Sequence, residues 1–447
     1  LTSSPYEWIK IPPKAVVIHP HISFPDRAGN LQTEASRHPS ARLQEAISLA
    51  QALDLEIVCS ALINIKKIRS ATLIGQGKVN EIVEIVRNLD AEVVIIDTPL
   101  SPAQQRNLER AWDVKVLDRT GLILEIFANR AETREGRLQV ELAQLTYQKS
   151  RLVRSWTHLE RQRGGFGFVG GPGETQIEAD RRMIQERIIS LSSDLNAVKR
   201  TRALHRSARA KVPYPIVALV GYTNAGKSSL FNQMTDAGAT TKDMLFATLD
   251  PKMRRLKLPH GTNVILSDTV GFVSDLPTHL VAAFRATLEE VINADLIIHV
   301  RDITHPDTQA QALDVKQIMQ SLFDERPSAP IIEVLNKIDL LTVDGRDKIL
   351  VDGGHDNTII NQRIAISAIT GEGTELLLEH IENALATFST LFEIELEADR
   401  GRDIHWIYEN CEVLERQEGK DGSINLAVRV PLARVNQFHR RVAELKN

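Results

Sequence analysis

The chain has little cysteine: Cys59 and Cys411 are the only two in 447 residues, and they lie far apart. A disulfide framework is thereby excluded, and the reducing cytoplasm is the expected setting. Long apolar runs are missing too. Nothing approaches the roughly 20 apolar residues that span a bilayer, so no transmembrane segment is expected. The opening Leu1-Thr2-Ser3-Ser4-Pro5 has no basic stretch followed by an apolar one, so no signal peptide is visible, and the lack of an initiator Met leads us to expect missing upstream residues. A strong overall charge is also absent, the net being -4. The charge is nevertheless uneven. Between Arg130 and Lys211 stand 17 Lys and Arg against 9 Asp and Glu, a net of +8 that leaves -12 to the rest. A basic middle on an acidic protein points to a polyanionic partner, with a solvated helix surface as the plainer alternative. Hydrophobic content of 43% is ordinary for a globular protein, and the length calls for several domains.

What the sequence does have is Gly221-Tyr222-Thr223-Asn224-Ala225-Gly226-Lys227-Ser228, a match to the phosphate-binding pattern G-x-x-x-x-G-K-[ST]. The apolar run Ile216–Val220 before it reads as a buried parallel strand, and Ser229–Met234 after it continues as a helix. That is the context the pattern needs. Its glycines let backbone N–H groups face anionic oxygens, and the helix N-terminus adds partial positive charge. Lys227 is expected to reach the β- and γ-phosphates and Ser228 to ligate Mg²⁺.

Three further motifs follow in order, each at a predicted strand end. Asp268-Thr269-Val270-Gly271 reads as D-x-x-G: the Asp supports the Mg²⁺ shell and the Gly271 N–H senses a γ-phosphate. Asn336-Lys337-Ile338-Asp339 reads guanine, because the Asp339 carboxylate accepts from the base's N1–H and 2-amino group. Each such charge-assisted bond contributes about 1.5–3 kcal/mol, and adenine, lacking both donors, is rejected. Ser367-Ala368 is expected to offer a backbone contact to the guanine carbonyl. Together the four motifs predict a GTPase domain binding GTP and GDP. Asp302, at the end of another predicted strand, receives no functional role.

The fold class read from these patterns is α/β and multidomain. Residues 1–135 form an N-terminal α/β domain, with strands at Ala15–Ile18, Glu56–Cys59, Glu92–Ile96 and Val114–Leu117 alternating with helices over Ser40–Leu53, Val79–Leu89 and Pro102–Trp112. Gly75-Gln76-Gly77-Lys78 precedes the second helix, either as a helix-start turn or, less simply, as an anion site. Residues 136–211 form a helical hairpin with a Gly-rich loop and a basic linker. A first helix runs from about Gly136 to Glu160, and the glycines of Gly164–Gly173 break it. A second helix opens at Glu174. Its Ile177, Ile184, Ile188, Leu191, Leu195 and Val198 recur at a/d spacing, so the two helices are expected to pair antiparallel. Arg163, Phe166, Phe168, Arg181 and Arg182, in and around the loop, are candidates for stacking on bases and pairing with phosphates. Residues 212–390 form the P-loop GTPase domain with a mostly parallel sheet. Residues 391–447 form a small α+β domain, with strands at Phe392–Leu396 and Ile424–Val430 and helices over Asp403–Glu415 and Leu432–Leu445.

The chain resembles the HflX GTPases. The resemblance rests on Ile74-Gly75-Gln76-Gly77-Lys78-Val79, on Leu100–Leu108 with its Ser101-Pro102 and on Leu138–Leu145. It also rests on Gly171-Pro172-Gly173-Glu174-Thr175-Gln176 followed by Asp180-Arg181-Arg182, and on Asp268–Phe272. It implies binding to the large ribosomal subunit and its RNA, with GTP-dependent splitting or rescue of stalled ribosomes. It also implies that Phe246-Ala247-Thr248-Leu249-Asp250 is the first switch, Thr248 closing on Mg²⁺ and γ-phosphate. Lys227, Thr248 and Gly271 are then the catalytic candidates. One departure is Phe168-Val169-Gly170, where the family loop commonly carries a Thr-Arg pair.

Phosphoryl transfer needs positioning and charge neutralisation more than covalent help. Phe272 occupies the place of a water-orienting Gln, so intrinsic hydrolysis is expected to be slow and a partner, the ribosome, to complete the site. Asn224 stands where K⁺ can assist related enzymes, or it simply stiffens the loop. Other classes are a tRNA-modifying GTPase, for which no cysteine or metal cluster is seen, an ATP-driven N-terminal activity, and an assembly switch or RNA-binding factor without splitting activity. A monomer is expected, and DNA is not an expected partner.

Overall fold

The computed structural model describes residues 12–25, 31–33, 37–162, 172–209, 214–235, 246, 251–274, 285–323, 329–342, 345–346, 363–387, 389–397, 401–419, 423–431 and 438. They fall into two compact units. One is built on residues up to Ser193 and includes Phe246; the other is built on the rest from Asp194.

In the first unit, β1 (Lys14–Pro25), β3 (Glu56–Ile65), β4 (Val93–Ile96) and β5 (Lys115–Asp118) form a parallel sheet in the order β3-β1-β4-β5, with β2 (Leu31–Thr33) antiparallel on β1. Both faces are covered, which is why the strands read as continuous apolar runs: Val16, Ile18, Val94 and Ile96 and the intervening Ala15, Val17 and Ile95 are all buried. Helices α1 (Pro39–Gln51), α2 (Gln76–Asn88) and α3 (Pro102–Trp112) make the crossovers. Helix α3 has a complete capping box, Ser101 with Gln104, and ends on left-handed Asp113. Gly75 is the N-cap of α2, and Lys78, inside its first turn, pairs with Glu81. The helix-start reading of Gly75-Gln76-Gly77-Lys78 therefore holds. Arg119–Arg130 has no assignment from the sequence and forms helix α4, capped by Asp118, which accepts from Gly121 N–H at 2.8 Å.

At the carboxyl ends of these strands lies a buried ion cluster. Arg119 pairs with Asp97 and with Glu45, and His19 Nδ1 lies 2.8 Å from Asp97 Oδ2. Burial raises the Asp97 carboxyl, but Arg119 and His19 together hold it below the ordinary value.

Helix α5 (Arg134–Gln162) is followed by α6 (Pro172–Arg209), two residues longer at its start than expected. Arg187 pairs with Glu141 and Lys149 donates to Gln185, so the two helices lie side by side and their contacts run in opposite senses. Leu191 and Leu195 of the a/d seam are buried, whereas Met183 and Ile189, off the seam, are exposed. Arg163, Phe166 and Phe168 lie outside the described residues; Arg181 and Arg182 are exposed.

In the second unit, a six-stranded sheet has the order β11-β10-β9-β6-β8-β7. Its strands are β6 (Ile216–Gly221), β7 (Lys252–Lys257), β8 (Asn263–Asp268), β9 (Leu296–Asp302), β10 (Ile331–Asn336) and β11 (Arg363–Ala365). All pair in parallel except the edge strand β7. Helices α7 (Lys227–Met234), α8 (Arg285–Ile292), α9 (Thr308–Phe323) and α10 (Thr374–Thr387) accompany it.

The C-terminal sheet, β12 (Ser389–Glu397), β14 (Ser423–Pro431) and β13 (Glu412–Glu418), is antiparallel. The helix expected over Asp403–Glu415 is corrected: it spans Gly401–Asn410, and Glu412–Glu418 is a strand. Pairing with β14 overrides local helix preference there, and the charges that protect an edge strand hide its alternation. The helix expected over Leu432–Leu445 lies outside the described residues except Phe438, which is buried in the small core.

Candidate nucleotide site

The four motifs converge at the carboxyl edge of the six-stranded sheet, where open α/β sheets take their ligands. Strand β6 delivers the phosphate loop. Gly221 leaves no room for a side chain, since an added Cβ would meet Val300 O at 2.2 Å. Asn224 is left-handed at φ +59, a conformation Asn tolerates better than most residues, and it is exposed. Gly226 is left-handed as well, at φ +91, and caps helix α7.

Lys227 is buried at the start of α7, and its Nζ donates to Gly221 O at 3.1 Å and Tyr222 O at 2.8 Å. Burial pushes its pKa down to about 8, against Asp268, which raises it. Ser228 Oγ donates to Asp268 Oδ2 at 2.7 Å. A hydroxyl and a carboxylate thus already meet at the expected Mg²⁺ position. Hard oxygen donors suit that ion, so the pair fits it. Ser229 follows within the first turn of α7.

The D-x-x-G segment is strapped to the phosphate loop. Thr223 N–H donates to Phe272 O at 2.7 Å, and Phe272 N–H donates to Gly221 O at 3.0 Å. Ser274 N–H donates to the Tyr222 hydroxyl at 2.8 Å. Thr269 Oγ1 is committed to Leu219 O at 2.6 Å and serves the fold; Val270 is buried beside it. Gly271 passes so close that a Cβ would lie 2.9 Å from Thr223 Cγ2 and 3.1 Å from Lys227 Nζ. Phe272 is buried, so its role is to join two loops and not to touch water.

Asn336 holds the base-reading corner to the phosphate loop. Its Nδ2 donates to Ala225 O at 2.8 Å, and its Oδ1 accepts from Ala368 N–H at 2.9 Å. The Ala368 amide, expected to face the base carbonyl, is therefore engaged by Asn336 here. Ser367 is buried, and its Oγ accepts from Thr370 N–H at 3.2 Å. Asp339 Oδ1 is buried without a hydrogen-bond partner among the described residues. Lys337 pairs with Asp302 at 2.8 Å, a partner the sequence reading missed because a single Asp at a strand end carries no pattern of its own.

Of the predicted first switch only Phe246 is described. It belongs to the first unit and is buried edge-on against Phe127, ring centroids 4.7 Å apart. Ala247, Thr248, Leu249 and Asp250 lie outside the described residues.

Sheet order and loops together define a P-loop GTPase. Four family profiles match along the chain: GTP-binding GTPase N-terminal at residues 40–128, GTP-binding GTPase Middle Region at 130–209, 50S ribosome-binding GTPase at 216–337 and HflX C-terminal domain at 356–447. A GTPase HflX of Magnetococcus marinus is 47% identical over 89% of this chain and 91% of its own length, and one of Escherichia coli is 43% identical over 87% and 90%. The chain belongs to the HflX family and is a GTP-binding, GTP-hydrolysing enzyme. A GTP-binding protein of Sulfolobus solfataricus, solved in complex with GDP, is 23% identical with a TM-score of 0.43, covering 83% of this chain and 98% of that one. Among the described residues no helix is long and apolar enough to cross a membrane.

Proposed function

We propose that this GTPase binds the large ribosomal subunit and splits or rescues stalled ribosomes, with hydrolysis resetting it for another round. The observation that carries the reading is Phe272. It is buried and backbone-bonded where a water-orienting side chain would be needed, so among the described residues nothing at that place orients the attacking water. A partner must supply what is missing. The match of residues 216–337 to a 50S ribosome-binding GTPase and the basic character of residues 130–211 favour the ribosome.

In this reading the catalytic candidates act by charge and position. Lys227 leaves its two loop carbonyls for the β- and γ-phosphates, and Gly271 N–H registers the γ-phosphate. Asp339, whose Oδ1 has no partner among the described residues, takes guanine's two donors. Ser228 and Asp268 would hold Mg²⁺, joined by Thr248. The ion neutralises phosphate charge when bound. A K⁺ ion near Asn224 is part of the same proposal. So are the cytoplasmic setting, the monomeric state, the RNA contacts of Arg163, Phe166, Phe168, Arg181 and Arg182, and the division at residues 135, 211 and 390.

The deciding experiment measures GTP hydrolysis with and without purified large subunits, alongside ribosome profiles. Stimulation together with fewer intact ribosomes is expected. Accumulation of immature subunits on loss of the protein, without splitting, would assign it to assembly instead.

A further inference from the structure

Asp302 closes β9 in register with Asn336 at the end of β10, and Ile303 N–H donates to Asn336 O at 3.2 Å. Its carboxylate is divided between two tasks. Oδ1 accepts from Thr304 N–H at 3.0 Å and from Thr304 Oγ1 at 2.6 Å, which fixes the turn after the strand. Oδ2 lies 2.8 Å from Lys337 Nζ, and both side chains are largely shielded, at 13% and 21% exposure. Lys337 needs such a restraint. Its backbone is left-handed at φ +70, a conformation unfavourable for a residue with a side chain, and its long arm loses rotamer entropy when fixed. Two residues on stands Asp339, whose Oδ1 is buried without a partner among the described residues. A lysine anchored at its tip beside that carboxylate presents its four-carbon stem as a flat apolar rail, a surface suited to the face of a purine.

We propose that Asp302 is a positioning residue for base recognition: by pinning the Lys337 ammonium it makes the lysine stem one wall of the slot in which Asp339 reads the purine. The proposal rests on the guanine-reading assignment of Asp339. It differs from a purely structural role in routing the effect of Asp302 through Lys337. Asp302→Asn separates the two, since the amide oxygen still accepts from Thr304 while the charge facing Lys337 is lost.

The experiment is a substitution cycle on the full chain, read as the dissociation constant and off-rate of a fluorescent GDP, with thermal melting of every variant. Asp302→Asn should weaken GDP about fivefold to tenfold, mostly through faster release, with melting unchanged. On a Lys337→Ala background the same change should cost less than twofold, because the group it acts through is gone. Thr304→Val should cost less than twofold. Effects of Asp302→Asn and Lys337→Ala that simply multiply, or a Thr304→Val loss equal to that of Asp302→Asn, would overturn the proposal and leave Asp302 to the fold. Asp339→Asn, measured in parallel against xanthine nucleotide, keeps the two claims apart. A switch toward xanthine with a multiplicative cycle sinks only the role of Asp302; no switch sinks the guanine reading and the proposal with it.

Discussion

At Gly226 a single methyl group would stand 2.1 Å from Asn336 Nδ2, on a backbone at φ +91. Gly226→Ala therefore displaces the amide that ties base loop to phosphate loop, and it strains the cap of α7 as well. We expect at least a tenfold loss of GDP affinity, checked by fluorescent-nucleotide titration; wild-type affinity would refute the contact. His299 offers a different test. It is buried in β9, and burial pushes its pKa down to about 4; Glu333 works to raise it, while Arg301, Lys316 and Lys227 work to lower it further. The folded protein keeps this ring neutral while the unfolded chain protonates near the ordinary value of 6.5. Stability is thus full above about 6.5 and falls as pH drops toward about 4, by roughly 3 kcal/mol at most. Melting temperature measured from pH 7 to 4.5 should fall less steeply in His299→Gln; equal slopes would rule out this ring as a source. At this scale the sequence was legible wherever a motif fixed spacing: Lys227 and Ser228 open a helix after a strand, Asp268 and Asn336 close strands, and Asp339 follows directly, as expected. It gave Asp302 no role and read Tyr222 only as part of the phosphate loop, since the partners of both side chains come from what folding places opposite them.

Helix α4 begins with a buried arginine, and its packing against β4, β5 and α1 depends on that charge being matched. Arg119 meets Asp97 and Glu45, and His19 meets the same Asp97. Removing one partner of a buried set leaves the others uncompensated, typically at about 3–5 kcal/mol. Arg119→Ala should therefore lower the unfolding free energy of the first unit by an amount in that range, measured by denaturant titration with hydrogen exchange to locate the loss. A change within about 0.5 kcal/mol, the scale of an ordinary surface substitution, would show the cluster to be incidental. Helix α4 also marks a limit of sequence reading, because a helix opening with a buried charge does not show the usual polar face. The edge strands β7 and β13 were hidden for the opposite reason. Lys252, Arg254, Arg255 and Lys257 in one, and Glu412, Glu415, Arg416 and Glu418 in the other, are the charges that keep sheet edges from pairing further, and they erase the period of two. The central strands, apolar on both faces, were legible for that reason.

For the whole molecule, the proposed ribosome action and the nucleotide chemistry should be separable. Replacing Phe166 and Phe168 by Ala is expected to weaken large-subunit co-sedimentation and splitting while intrinsic GTP hydrolysis stays intact. Binding should weaken as salt rises, as phosphate contacts by Arg181 and Arg182 require. Unchanged splitting by the double variant, or binding indifferent to salt, would point to a spacer loop and a protein-mediated dock. The nucleotide site itself has a kinetic character set by one side chain. The Asn336 amide touches Ala225 O on one side and Ala368 N–H on the other, and Phe272 laces the D-x-x-G loop to that same phosphate loop. Base grip and phosphate grip therefore share a fastener, and neither end of a bound nucleotide can peel away while the other stays seated. Departure is then expected to be a concerted escape, seen as a single exponential time course when a fluorescent GDP is chased from the site; two resolved phases would refute the coupling. Under the proposed ribosome action, a ribosomal element that pried any one of these loops would act as an exchange factor for all of them.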